Sequence, residues 1–140
     1  MDVVITLLLL AIAGVCFSAM FPSGIAASRE AREYKTATAI VQRKMEQLRA
    51  MRYESLTATH LAAGGVIDQD DPTSPFSFTS VDSVGSQFAG GAGEIAVDDV
   101  TSDIRRVRIT VSWDGPGAEG VRNVRITSLF ADRRTRQINP

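Results

Sequence analysis

Residues 3–21 read VVITLLLLAIAGVCFSAMF, and residues 25–56 read IAASREAREYKTATAIVQRKMEQLRAMRYESL. The first stretch holds 19 residues and no charge, with Thr6 and Ser18 its plainly polar members. As a helix it is about 28 Å long, close to the thickness of a bilayer's hydrocarbon core. The second stretch has a different pattern. Tyr34, Ala37, Val41, Met45, Leu48 and Arg52 follow at steps of three or four, and Ile40 widens the same face. One side of such a helix is mostly apolar. Good helix formers dominate it, and Arg29–Glu33 and Glu46–Arg49 stand at helical ion-pair spacing. The two stretches predict one long helix to Leu56, about 80 Å if continuous. Pro22 removes a backbone donor and disfavours the helical region at Phe21. Gly14, Pro22 and Gly24 therefore mark an expected kink or melted stretch.

After Leu56 the pattern changes. Ala62–Gly65 and Ile67–Pro75 are loop-like. Phe76–Val81 alternates and predicts a strand. Gly85–Glu94 reads as a glycine-rich loop, and Ile95–Val97 as a short strand. In Arg106–Trp113, Val107, Ile109, Val111 and Trp113 alternate with polar residues, so one face belongs to a core. A turn over Asp114–Gly120 leads into Arg122–Phe130, where Val124 and Ile126 alternate against Arg125 and Thr127. Two alternating strands around a Gly/Pro turn form an antiparallel hairpin. The sheet needs a cover, and the amphipathic helix is the long candidate. The fold class is α+β: a long N-terminal helix packed on a small antiparallel sheet. The expected segments are 1–24, an apolar helix; 25–56, its amphipathic continuation; and 57–140, a β head. The expected helix–sheet core is Tyr34, Val41, Met45, Leu48, Val107, Ile109, Val111, Trp113, Val124 and Ile126.

Length and composition narrow the function. The chain has 140 residues and a formal net charge of −1, so nothing global points to a nucleic-acid binder. Cys16 and His60 are its single cysteine and single histidine, too few for an intramolecular disulfide or a usual zinc site. The charge is unevenly spread. Residues 1–60 carry a net +2, residues 61–103 eight acids and no base, and residues 104–140 a net +5. No basic residue precedes the apolar run, and the run is long, so a retained anchor reads better than a signal peptide.

An N-terminal apolar helix, Ala11-Ile12 followed by Gly14, then Pro22, an amphipathic continuation and a small sheet resemble a mature type IV pilin or a type II secretion pseudopilin. The stretch Ala37–Leu56 and the phrases RRVRITVSWDGPG and RNVRITSLF are similar to the minor-pilin and pseudopilin branch. The resemblance implies a structural subunit that polymerises through its N-terminal helix. It implies prepilin peptidase and the pilus assembly machinery as partners. It implies the inner membrane as the location before assembly and a surface filament after it. It also implies that a basic leader is removed and that the new N-terminus, here Met1, is methylated. Gly14 and Pro22 stand at the family's positions if Met1 is the first mature residue. One position departs from the pattern: the family's usual glutamate at the fifth position is Ile5 here. Asp2 is the one acid in the first 28 residues. It either takes the glutamate's role, pairing with a terminal amine of its own or a neighbouring subunit, or caps the helix at the membrane surface.

Other features carry weaker signals. Asp68, Asp70 and Asp71 are carboxylates of a kind that suits calcium, but without a downstream glutamate a solvated loop is the better reading. Arg105, Arg106, Arg108, Arg122 and Arg125 suit either the phosphates of a nucleic acid or acids of the same or a neighbouring subunit. The acidic middle segment favours the second. Trp113 reads as packing, Cys16 as a small buried hydrophobe, and His60 has no evident partner. No nucleophile–base pair, phosphate loop or metal cluster is legible, so neither an enzyme nor a cofactor is expected. The competing class is a single-pass membrane-anchored domain.

Overall fold

The computed structural model describes residues 2–68, 73–115 and 120–132, the side chains of residue 2 and of residues 19–23 excepted. Helix α1 spans Asp2–Ala50. It runs through Gly14, Pro22 and Gly24 without interruption, so the expected melted stretch does not form. A proline inside a helix costs about 3 kcal/mol, and a helix of 49 residues has many other turns to offset it. Ser18 Oγ donates to the Gly14 carbonyl at 2.9 Å, a local bond in the turns before Pro22.

The helix ends six residues before the expected Leu56. The Met51 N–H closes a tight turn on the Leu48 carbonyl at 3.1 Å. Arg52 is extended, with ψ 152°, and Tyr53–Ser55 forms a single 3-10 turn. That turn is held from far along the chain. Arg105 donates to the carbonyls of Tyr53 at 3.2 Å and Leu56 at 3.4 Å, and its guanidinium sits 4.7 Å from the centre of the Tyr53 ring. The turn that follows the helix is thereby fastened to a strand residue.

The chain divides into two compact units, 1–35 and 36–140. The division falls inside α1, because the last turns of that helix belong to the head. Among the described residues the first unit is helix alone. The second adds α2 (Ala58–Ala63), β1 (Phe76–Ser77), α3 (Val84–Gln87), β2 (Ala92–Thr101), β3 (Ile104–Asp114) and β4 (Val121–Ala131). The strands form one antiparallel sheet in the order β1-β2-β3-β4, each beside its neighbour in sequence.

β3 and β4 lie where alternation places them. Their register sets Ile109 opposite Ile126 and Val111 opposite Val124. The expected strand over 76–81 shrinks to Phe76–Ser77, because the chain turns at Thr79–Ser83. The expected short strand at 95–97 grows to ten residues and absorbs the end of the glycine-rich loop. Gly93 explains part of that growth. A Cβ there would sit 2.5 Å from the Phe78 ring, so the strand passes the ring only without a side chain. Gly90 has φ +61° and closes the turn before β2, a conformation that glycine adopts without strain.

The core joins the last turns of α1 to the inner face of the sheet. Ala37, Ile40, Val41, Met45 and Leu48 are buried with Ile95, Val107, Ile109, Val111 and Trp113 in one cluster. Phe78 and Phe88 belong to the same cluster, and the Phe88 ring lies 5.2 Å from that of Trp113. Val124 and Ile126 are half-buried against the cluster. Tyr34 departs from expectation: it is 37% exposed and belongs to the first unit. The helical period continues to Tyr34, but the core begins at Ala37.

Candidate functional site

The apolar surface of residues 3–18 is the most unusual feature of the chain. Val3, Leu10 and Phe17 are 72%, 69% and 66% exposed, and Val4, Leu7, Leu8, Leu9 and Val15 are equally open. Cys16, expected as a buried hydrophobe, is exposed as well. A Cβ added at Gly14 or Gly24 meets nothing within 4 Å. Soluble chains rarely leave a contiguous patch of this kind uncovered, and such patches mark contact with lipid or protein. Among the described residues no helix is long and apolar enough to cross a membrane. The side chains of Ala19–Phe21, the end of the apolar run, lie outside the described residues. Met1 and the side chains of Asp2 and Pro22 also lie outside.

The head holds a buried ion pair that sequence reading missed. Lys44 is fully buried. Its Nζ lies 2.9 Å from Asp82 Oδ2 and donates to the Val66 carbonyl at 3.0 Å. It also sits 5.0 Å over the Phe78 ring, a cation–π position. Arg43 reaches the other Asp82 oxygen at 3.5 Å. A signal existed in the spacing: Ala37, Val41, Lys44 and Leu48 share one helical stripe, so Lys44 stands at a core position. The pair fastens α1 to the turn before α3 and to the segment after α2.

Asp68 is a second organiser. Its carboxylate accepts the N–H groups of Ser80 at 3.0 Å and Val81 at 2.7 Å, and the Ser77 hydroxyl at 2.8 Å. Desolvation opposes ionisation, but these donors outweigh it and hold the carboxyl below its usual value. The calcium reading loses its first residue to this role. Asp70 and Asp71 lie outside the described residues, and among those described no cluster of three or more candidate ligands forms. A carboxyl held low stabilises the fold above the unfolded value, near pH 4, and loses that contribution as pH falls through the folded value. Asp68→Asn is expected to cost about 1 kcal/mol at neutral pH. The difference from the parent should shrink to nothing in acid, as read by denaturant midpoints across pH.

The five arginines divide between the two faces of the sheet. Arg105 pairs with Asp99 at 2.8 Å, and Arg108 stands 3.9 Å from Asp98. Those two meet acids of their own chain. Arg106, Arg108 and Arg125 share the outward face, whereas Arg105 and Arg122 fall on the inward register. His60 has a partner after all: its Nδ1 lies 2.8 Å from the Thr57 hydroxyl at the start of α2. An open groove runs between Met51–Glu54 and the end of β4, with Tyr53 and Phe130 in its wall. No family model matches the chain, and neither a curated protein nor a solved structure matches it.

Proposed function

We propose that this chain is a structural subunit of a type IV pilus-like filament, polymerising through its N-terminal helix. One observation carries the reading: a single helix has its last turns built into the core of a folded head, while its first turns expose apolar side chains on every face. Copies of such a helix cover one another when bundled, and burial of that surface drives assembly. Before assembly the same surface suits the inner membrane; afterwards the filament lies outside the cell. Prepilin peptidase and the assembly machinery would act on it at the inner membrane, before assembly. A minor or tip subunit, or a pseudopilin of a secretion or DNA-uptake system, would use the same architecture. A single-pass anchored domain is the competing reading, and the same exposed helix supports it.

Filaments sheared from intact cells and analysed by intact mass and N-terminal sequencing separate these readings. The chain is expected in the sheared fraction, starting at Met1 with one added methyl. Recovery solely from membranes, with an unmodified terminus, would reject the filament. Asp2→Asn tests the pairing role of Asp2. An unpaired charge in hydrocarbon costs several kcal/mol, so filament yield is expected to fall at least tenfold, since about 1.4 kcal/mol already gives that factor. Normal assembly would leave Asp2 as a helix cap.

A further inference from the structure

The sheet of the head sorts its charge by strand. Its outward face carries Glu94 and Asp98 on β2, Arg106 and Arg108 on β3, and Arg125 on β4. The register sets Glu94, Thr110 and Arg125 in one row, and Asp98, Arg106 and Leu129 in another. Acid therefore lies toward one side of the sheet and base toward the other.

Among the described residues both lateral borders offer unpaired backbone. β4 ends the strand order, so its far side has no strand beside it among the described residues. On the opposite side, β1 covers only Ile95 and Glu94. Val97 N–H donates to Ser74 Oγ at 3.1 Å. From Asp98 onward β2 has no strand beside it on that side among the described residues. Val121 and Leu129 stand exposed on the basic border, and Val100 on the acidic one. A free strand edge invites pairing with another chain unless it is blunted.

We propose that the β4 border is a docking surface for a second copy of this chain, which presents its own β2 border around Asp98–Asp99 to it. The inference rests on the filament reading and names the contact that the heads make within it. Charge selects the occupant. A basic border repels its own kind and attracts the acidic border of another copy. Asp98 and Arg108 stand 3.9 Å apart, a loose pair that leaves the Asp98 carboxylate able to meet a second arginine. Geometry agrees with it. Two different borders in contact make a heterologous interface, which can repeat without closing and so extends a filament. The exposed valines and Leu129 add apolar contact, and the strand edges add main-chain hydrogen bonds.

Zero-length carbodiimide coupling on filaments of the Arg125→Lys variant tests this. The reagent joins an amine to a carboxylate it touches, and the chain's own lysines are Lys35 and the buried Lys44, so background is low. Dimers and higher bands are expected, with position 125 joined to the peptide holding Asp98 and Asp99. Mixed isotope labelling is expected to show that the two peptides come from different copies. Filaments that form but link position 125 elsewhere, or nowhere, would overturn the contact and leave the filament reading standing. Absence of the chain from the sheared fraction would overturn both. Arg125→Glu gives the second readout. The side chain is exposed, so thermal melting of the head should be unchanged. Filament yield is expected to fall about tenfold or more, and an unchanged yield would reject the proposal.

Discussion

Lys44→Ala is expected to destabilise the head by about 3–5 kcal/mol, the range for removing one partner of a buried ion pair. The substitution leaves Asp82, whose side chain is 10% exposed, without its ammonium, and the Val66 carbonyl without its donor. It also deletes a stem packed among Phe78 and the helical stripe. Replacing both partners behaves differently. Lys44→Met with Asp82→Leu removes both charges and refills the volume, so most of the loss should return. Chemical denaturation of the full chain in detergent, followed by Trp113 fluorescence, measures both. Trp113 is the one tryptophan and is buried beside Phe88, so its signal reports the head. A single-variant loss under about 1 kcal/mol would contradict a buried pair.

Leu9→Asp is expected to abolish filament formation while leaving the head's denaturation midpoint where it was. Leu9 is 62% exposed in the single chain, so the substitution disturbs no packing there. In a bundle of helices it places a carboxylate among apolar side chains, at a cost of several kcal/mol per subunit. With about 1.4 kcal/mol to each factor of ten, assembly falls by orders of magnitude. Leu9→Ile keeps the apolar surface and should assemble normally. Filaments of Leu9→Asp at ordinary yield would show that this surface faces water in the assembly and would reject a filament built on bundled helices.

Much of the architecture was legible because periodicity is local. Alternation through Val107, Ile109, Val111 and Trp113 marked β3 and its inward face, and steps of three and four marked α1. The misses have non-local causes. The helix ends at Ala50, and the turn after it is held by Arg105 through the carbonyls of Tyr53 and Leu56, a partner that no local pattern announces. β2 hid behind Gly91 and Gly93, which read as loop; a ring from Phe78 requires the second of them to be bare. Tyr34 fits the helical stripe but lies before the core begins at Ala37. Lys44 was passed over because a lysine is expected on a wet face, although its spacing placed it in the stripe. The apolar surface of residues 3–18 was plain from composition, whereas its possible occupants are separate molecules and leave no mark in one chain's periodicity. The ordering role of Asp68 depends on a hydroxyl nine residues downstream and on amides twelve and thirteen residues downstream, beyond the reach of any motif.

Chain order gives the shared helix a consequence in time. Leu48 and its neighbours are synthesised roughly 80 residues before β4 is complete. At about 5–20 residues per second the stripe waits some seconds for its sheet. The strands themselves pair with sequence neighbours and close quickly once made. The delay therefore falls wholly on α1. For those seconds the nascent chain exposes two adhesive surfaces in tandem, and only the second will be covered by its own head. A holding factor or a lipid surface engaged early, while the ribosome is still working, would keep the first from capturing the second.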